Sequence, residues 1–338
     1  MEAVEALSMT EQRRAFFLQA KRWLEEPALY SDVPFAGHLP RPLLSAADLD
    51  IMAAAGVIRA LRPGEEPLQA VRLFAVPEPH KSRRRPIKWP KAINEHRGRN
   101  TLQEMTVIPR HVVRQHTRSG AKAIVIDLKQ WFDQVPLRPE VQPFFAFDGC
   151  HLGPCCLTRL AMGQRQATEV ATSITACLVD FDHPGVEVDY AADNIRFVGE
   201  RAAILCAFKQ FLARCKACGV QINEIDESDY EDEEALGALV VDKYDYLGER
   251  FCHADFTQQS TDKTMAKLRA SWAARRTWSR RAVMVHFGVL LYASSTMRVD
   301  LAGRFVAMRW MARMAQELQC NPALWSSTNL VHVPATVM

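Results

Sequence analysis

The sequence predicts an α+β protein. Apolar residues recur at helical spacing in stretches that begin with their own capping residues. Short apolar and β-branched runs end at turn-forming residues. The two kinds of segment interleave along the chain with no internal repeat. At 338 residues, 48% apolar and 24% charged, the chain is long enough for one large domain or two to three connected subdomains. That composition excludes a largely disordered chain, a collagen-like repeat and a small disulfide scaffold.

The elements follow in order. Ser8-Met9-Thr10-Glu11 reads as a cap before a helix over 12–24. Ser45-Ala46-Ala47-Asp48 does the same for a helix that stops near Gly56. Pro27, Pro34, Pro40 and Pro42 punctuate the loop between them. Residues 71–76 alternate as a strand, ended by Pro77-Glu78-Pro79. Residues 121–127, Ala-Lys-Ala-Ile-Val-Ile-Asp, read as a buried strand with an acid at its C-terminal end. A helix of small residues is predicted over 168–179. Residues 185–190 and 195–198 flank Ala191-Ala192-Asp193-Asn194 as the arms of a hairpin. A helix over 202–217 ends at Gly219. Strand character returns at 244–251, and helices are predicted over 263–278 and 299–318.

Charge is unevenly spread on a chain of net +3. Residues 80–99 hold eight Lys/Arg against Glu95, and residues 263–281 hold seven with no acid. Residues 224–235 hold eight acids and no base. The two basic segments are either solvated faces or phosphate-binding surfaces. The longest apolar stretch, 283–293, carries His286 and falls short of the roughly 18–20 residues a membrane span needs. The N-terminus lacks the basic start and apolar stretch of a signal peptide, so the expectation is an intracellular, soluble protein with no membrane partner. Nine cysteines show no framework spacing. Cys215 and Cys218 form one CxxC within a predicted helix and, with no second pair at zinc-finger distance, read as reduced thiols.

Two acids stand out, Asp127 at the end of its strand and Asp193 in the hairpin turn. Two carboxylates with substrate phosphate oxygens suit Mg²⁺ (or Mn²⁺), a hard ion that takes oxygen ligands. Two-metal phosphoryl transfer uses carboxylates in this way. Around these acids the sequence resembles a reverse transcriptase, an RNA-directed DNA polymerase, of retrotransposon type over 72–268. Asp127 and Phe132 match the Asp-x4-aromatic motif, continued by Val135-Pro136-Leu137. Leu160-Ala161-Met162-Gly163-Gln164 resembles the Leu-Pro-Gln-Gly turn, and Ala191-Ala192-Asp193-Asn194 falls where the family has Tyr-x-Asp-Asp. Residues 211–223, with Gly219 and Asn223, resemble the following helix-turn-strand motif, and Tyr246-Leu247-Gly248 the primer-grip hairpin. Upstream, Arg85-Pro86-Ile87, Lys91 and Asn94 resemble the segment that holds the incoming triphosphate. The flanks of Gly163 and Asp193 look closest to tyrosine-recombinase-type elements, including those of trypanosomatid genomes.

The resemblance implies a right-hand polymerase with an antiparallel palm sheet backed by helices. Residues 1–60 would be a helical extension, 61–120 the fingers, 121–250 the palm with interposed helices at 141–180, and 251–338 the thumb or connection. Asp127 and Asp193 would bind the metals, and Phe132 would abut the sugar and exclude a 2′-hydroxyl. Gly163 would let backbone approach the nascent pair, and Arg85 and Lys91 would hold the triphosphate. Lys81, Arg83, Arg84, Lys267, Arg275 and the 246–248 hairpin would contact a template–primer duplex of RNA or DNA. Departures are Ala191 for tyrosine, Asn194 for the second acid, Ala161 for proline, and Glu224 where a lysine is expected. Asp189, four residues before Asp193, is a candidate surrogate ligand, against which the strand pleat argues. The alternatives are a catalytically decayed relic that at most binds nucleic acid, an RNA-dependent RNA polymerase, against which Phe132 argues, and an α+β protein with no polymerase relation. No ribonuclease H or integrase domain is expected.

Overall fold

A computed structural model describes residues 1–78, 83–97, 110–271, 277–297 and 305–332. The chain forms two compact units, one built from 1–113 and 122–240, the other from 114–121 and 241–338. Residues 121–250, expected as one domain, contribute to both.

The first unit begins with α1 (Glu2–Glu5) and α2 (Glu11–Glu25). The Thr10 side chain accepts from the Arg13 N–H and so caps α2, which buries Phe16, Phe17, Ala20, Trp23 and Leu24 along one face. α3 (Ala46–Ala54) starts in a capping box formed by Ser45 and Asp48. β1 (Ile58–Ala60) follows, then an antiparallel pair, β2 (Arg72–Glu78) and β3 (Arg83–Trp89), and α4 (Lys91–His96). α5 (Arg110–Gln115) carries the chain out of this unit, and β4 (Lys122–Asp127) returns it. A short helix α6 (Trp131–Gln134) leads to β5 (Ala146–Asp148) and β6 (Pro154–Leu157). Helices expected over 141–180 are thus replaced at the start by two short strands, which form a sheet in the order β1-β6-β5. Val141, Phe144, Phe145 and Phe147 are buried here, apolar residues suited to this packed turn and strand.

The sheet beside which both predicted acids lie has the order β4-β8-β7, with β7 (Val186–Ala191) and β8 (Asn194–Gly199) forming the predicted hairpin. α7 (Ala167–Leu178) is buried along nearly its whole length, which its small side chains allow. α8 (Arg201–Cys218) packs on β4 and β8 through Phe197, Phe208 and Phe211, with centroids 5.5–5.7 Å from Phe197. α8 ends at Gly219 in the left-handed region (φ 66°), as its sequence required. α9 (Glu233–Ala238) closes the unit.

The second unit holds an antiparallel sheet in the order β11-β10-β9, from β9 (Lys243–Tyr246), β10 (Glu249–Cys252) and β11 (Thr257–Ser260). It continues with α10 (Asp262–Ser271), β12 (Thr277–Ser279), α11 (Arg280–Thr296), α12 (Phe305–Cys320) and β13 (Leu330–His332). Val283, Phe287, Ala307, Met314 and Leu318 form its core. Trp278, expected at the end of a helix, instead pairs with Val331 in a β-ladder. The reason is local, because Ser279 accepts from the Ala282 N–H and starts α11, leaving the aromatic and β-branched residues before it extended. The predicted helix start at 299–304 lies outside the described residues. All nine cysteines are free, and no described helix is long and apolar enough to cross a membrane.

Candidate active site

Asp127 ends β4 directly opposite Asn194 of β8, and the Leu128 N–H donates to the Asp193 carbonyl at 2.8 Å. Asp127 at the end of β4 therefore lies beside the β7–β8 turn that holds Asp193. On the other side of β4, residues 221–224 run alongside. The Asn223 N–H donates to the Asp127 carbonyl at 3.0 Å, and the Lys129 N–H to the Gln221 carbonyl at 3.0 Å. Asn223 Nδ2 donates to Asp127 Oδ2 at 3.2 Å, and Asn194 Nδ2 to Asp193 Oδ1 at 2.9 Å. Glu224 is turned to the backbone, its Oε2 accepting from the Asp127 N–H at 2.9 Å. Desolvation at this spot raises the Glu224 carboxyl above its ordinary value, against that hydrogen bond.

α7 fixes both acid-bearing loops. Trp131 Nε1 donates to the Ala171 carbonyl at 3.2 Å, and the Thr175 hydroxyl meets the Ala192 carbonyl at 2.5 Å in the hairpin turn. Ala192 sits at φ 53°, where a side chain is disfavoured. Gln130 does so too (φ 45°), just before α6. Backbone strain of this kind is held where surrounding contacts over-determine the conformation.

Asp189 is not a surrogate ligand. It is fully buried, opposite the equally buried Arg196 in the β7–β8 ladder, and its Oδ2 accepts from Arg196 Nε at 2.9 Å. Arg196 also donates to the Val113 carbonyl at 2.6 Å.

Phe132 is half-buried on α6 and packs against the core. Gly163 is bound to the β2–β3 pair: its N–H donates to the Lys88 carbonyl at 2.9 Å, and a Cβ there would meet that oxygen at 2.5 Å. Asn94 clamps the same turn, donating to the Gly163 carbonyl at 2.8 Å and accepting from the Arg165 N–H at 2.9 Å. Arg85 is exposed and Lys91 half-buried, facing Glu78 at 2.6 Å and Glu95 at 3.6 Å. Such surface pairs are weak and readily exchanged for phosphate. Arg84 pairs instead with Asp48 of the α3 capping box at 3.0 Å. Lys81 and Arg275, and the side chain of Arg83, lie outside the described residues.

Sequence reasoning also missed an ion pair beside Phe132. Lys88 is buried and its Nζ donates to Asp133 Oδ1, next to Phe132. Burial, with the Arg159 guanidinium nearby, pushes the Lys88 ammonium down to about 7, and the bonded carboxylate opposes that. Nothing in the sequence joins residues 45 positions apart; the only signal was an acid beside the predicted aromatic.

In the second unit, Leu247 and Gly248 both have positive φ (47° and 81°) and form the tight turn between β9 and β10. The Tyr292 hydroxyl donates to the Leu247 carbonyl, and a Cβ on Gly248 would meet Tyr292 Oη at 2.7 Å. The Tyr246 side chain is buried, so the hairpin offers its turn and not that ring to solvent. Lys267 is exposed on α10.

No protein-family model and no curated protein matches the chain. Solved structures do. The foamy viral protease-reverse transcriptase dRH in complex with double-stranded DNA is similar with a TM-score of 0.60 at 15% identity, over 97% of this chain and 60% of that one. The foamy viral protease-reverse transcriptase is similar with TM-scores of 0.52 in complex with double-stranded DNA and 0.51 with an RNA/DNA hybrid. Identities there are 16% and 15%, over 86% of this chain and 61% and 39% of those. The fold is reverse-transcriptase-like. At these identities the likeness reaches the fold and neither a retrotransposon type nor a source lineage. The chain spans about 60% of the length of the first two.

Proposed function

We propose that this chain is a nucleotidyltransferase, an RNA-directed DNA polymerase of retroelement kind, with the β4-β8-β7 sheet as palm, the β2–β3 pair in the fingers and the helices after residue 251 as thumb. The observation that carries this is the pairing of Asp127 with the Asp193–Asn194 turn across adjacent strands. Its partners would be a template–primer duplex of RNA or DNA and a deoxynucleoside triphosphate.

The donor set fits a hard divalent ion. Both acids offer only oxygen ligands, the kind a hard divalent ion takes. Mg²⁺ typically binds through one or two carboxylates and leaves the rest of its shell to water and substrate phosphate. Held by Asp127 and Asp193, it would supply charge stabilisation to the transferring phosphoryl group. The chain's own residues do the remaining work. The Arg85 guanidinium and Lys91 ammonium bind the triphosphate, and the Phe132 ring closes the space a ribose 2′-hydroxyl needs. The 247–248 turn and the exposed Lys267 contact the duplex backbone without reading sequence. The primer 3′-oxygen forms a bond to the α-phosphorus while the bond to the bridging oxygen of pyrophosphate breaks.

The test is extension of a primed homopolymer RNA with Mg²⁺ or Mn²⁺. Wild-type protein extends it. Asp127→Ala and Asp193→Ala each abolish extension while duplex affinity stays within about twofold, because the phosphate contacts lie elsewhere. Full activity in either variant removes the site assignment. Duplex binding without extension in the wild type supports the decayed relic, which Asn194 and Ala191 favour.

A further inference from the structure

We propose that the Lys88–Asp133 ion pair is a positioning device that fixes Phe132 relative to the β2–β3 hairpin and thereby sets selection of deoxy- over ribonucleotides. The inference rests on the polymerase reading above.

α6 has four residues and follows Gln130 in the left-handed region, so it cannot hold its own place. Its neighbours in the fold do so. Trp131 donates to the Ala171 carbonyl of α7, and Gln134 Nε2 donates to the Gln221 carbonyl at 3.0 Å. Asp133 reaches Lys88 of β3. Phe132 is the one residue of the four without a polar anchor, carried by the other three. Among the described residues, the Asp133 bond is the one that runs to the β2–β3 pair. Lys88 serves that junction twice, since its carbonyl also receives the Gly163 N–H.

The chemistry makes the link stiff. Lys88 is 2% exposed and Asp133 24% exposed. A buried ammonium is costly without a partner, so the carboxylate cannot drift away. Arg159 adds a second positive charge near Lys88. Alternation along β3 turns Lys88 to one face and Arg85 to the other. A shift of Lys88 therefore moves the strand that carries the proposed triphosphate contact.

The full chain is assayed for single-nucleotide incorporation of dTTP against UTP on a primed RNA. In Asp133→Asn, the ratio of kcat/KM for dTTP over UTP falls tenfold or more, chiefly through KM for dTTP, and Asp133→Glu restores part of it. If the pair is merely structural, Asp133→Asn lowers Tm and reduces both nucleotides alike; an unchanged ratio in an active enzyme overturns the inference and leaves the polymerase reading standing. Lys88→Met, which removes the buried charge and nearly keeps the side chain's volume, is read the same way. If the wild type extends no primer, the polymerase reading fails, and calorimetric Kd values for dTTP and UTP decide this one. Their ratio shifts in Asp133→Asn if the pair positions Phe132, and an equal ratio overturns it.

Discussion

Removing the Asp189 carboxylate distinguishes a structural acid from a metal ligand within the strand that leads to the proposed catalytic turn. Asp189 and Arg196 are both 0% exposed and bonded across the β7–β8 ladder. Asp189→Ala keeps the guanidinium inside the protein beside the Val113 carbonyl and removes the carboxylate that bonds it across the ladder. Breaking a buried pair from one side costs about 3–5 kcal/mol, whereas replacing both partners by apolar residues of similar volume is about neutral or stabilising. Asp189→Ala is therefore expected to lose about 3–5 kcal/mol, and Asp189→Leu with Arg196→Met to recover nearly all of it. Hydrogen exchange of the β7 and β8 amides reads the cost in the sheet itself, apart from the second unit. A double-mutant cycle gives a coupling of a few kcal/mol. A loss under about 1 kcal/mol would refute the reasoning. A variant that keeps its stability but loses Mn²⁺ would return Asp189 to the ligand set.

Gly163→Ala brings a Cβ to 2.5 Å from the Lys88 carbonyl oxygen and 3.0 Å from Trp89 Cα, backbone atoms that cannot step aside cheaply. The expected loss is about 1–3 kcal/mol in a urea melt, and a change within about 0.5 kcal/mol contradicts the close approach. Arg59 donates to the Glu65 carboxylate at 2.6 and 2.8 Å and holds its pKa down to about 2 from 4.5. That stability is present above the unfolded value and is lost as pH falls from about 4.5 toward 2. Glu65→Gln should thus cost up to about 3 kcal/mol at pH 7, with the two urea midpoints converging across that acid window; a constant gap would refute the linkage.

Local signals were legible. The caps at Thr10 and Ser45, the strand ending at Asp127, the hairpin around Asp193 and the stop at Gly219 all rest on residues next to one another in sequence. What escaped depended on register or long-range packing. Asp189 and Arg196 face each other only because the ladder sets seven residues apart as partners. Lys88 meets Asp133 only once β3 lies beside α6. β5 and β6 are three and four residues long, too short for a periodic pattern. Tyr246 reads as a contact residue from its motif, yet its burial follows from the β9 pleat, which turns it inward with Tyr244.

Affinity cleavage tests the metal-cage idea without relying on turnover. Fe²⁺ substituted for Mg²⁺, with ascorbate and peroxide, cuts the polypeptide next to wherever the ion is held. The predicted fragments end near residues 127 and 193 together, are suppressed by excess Mg²⁺, and disappear in Asp127→Ala and Asp193→Ala. Cuts at only one of these positions, or cuts that persist in both variants, would contradict the account.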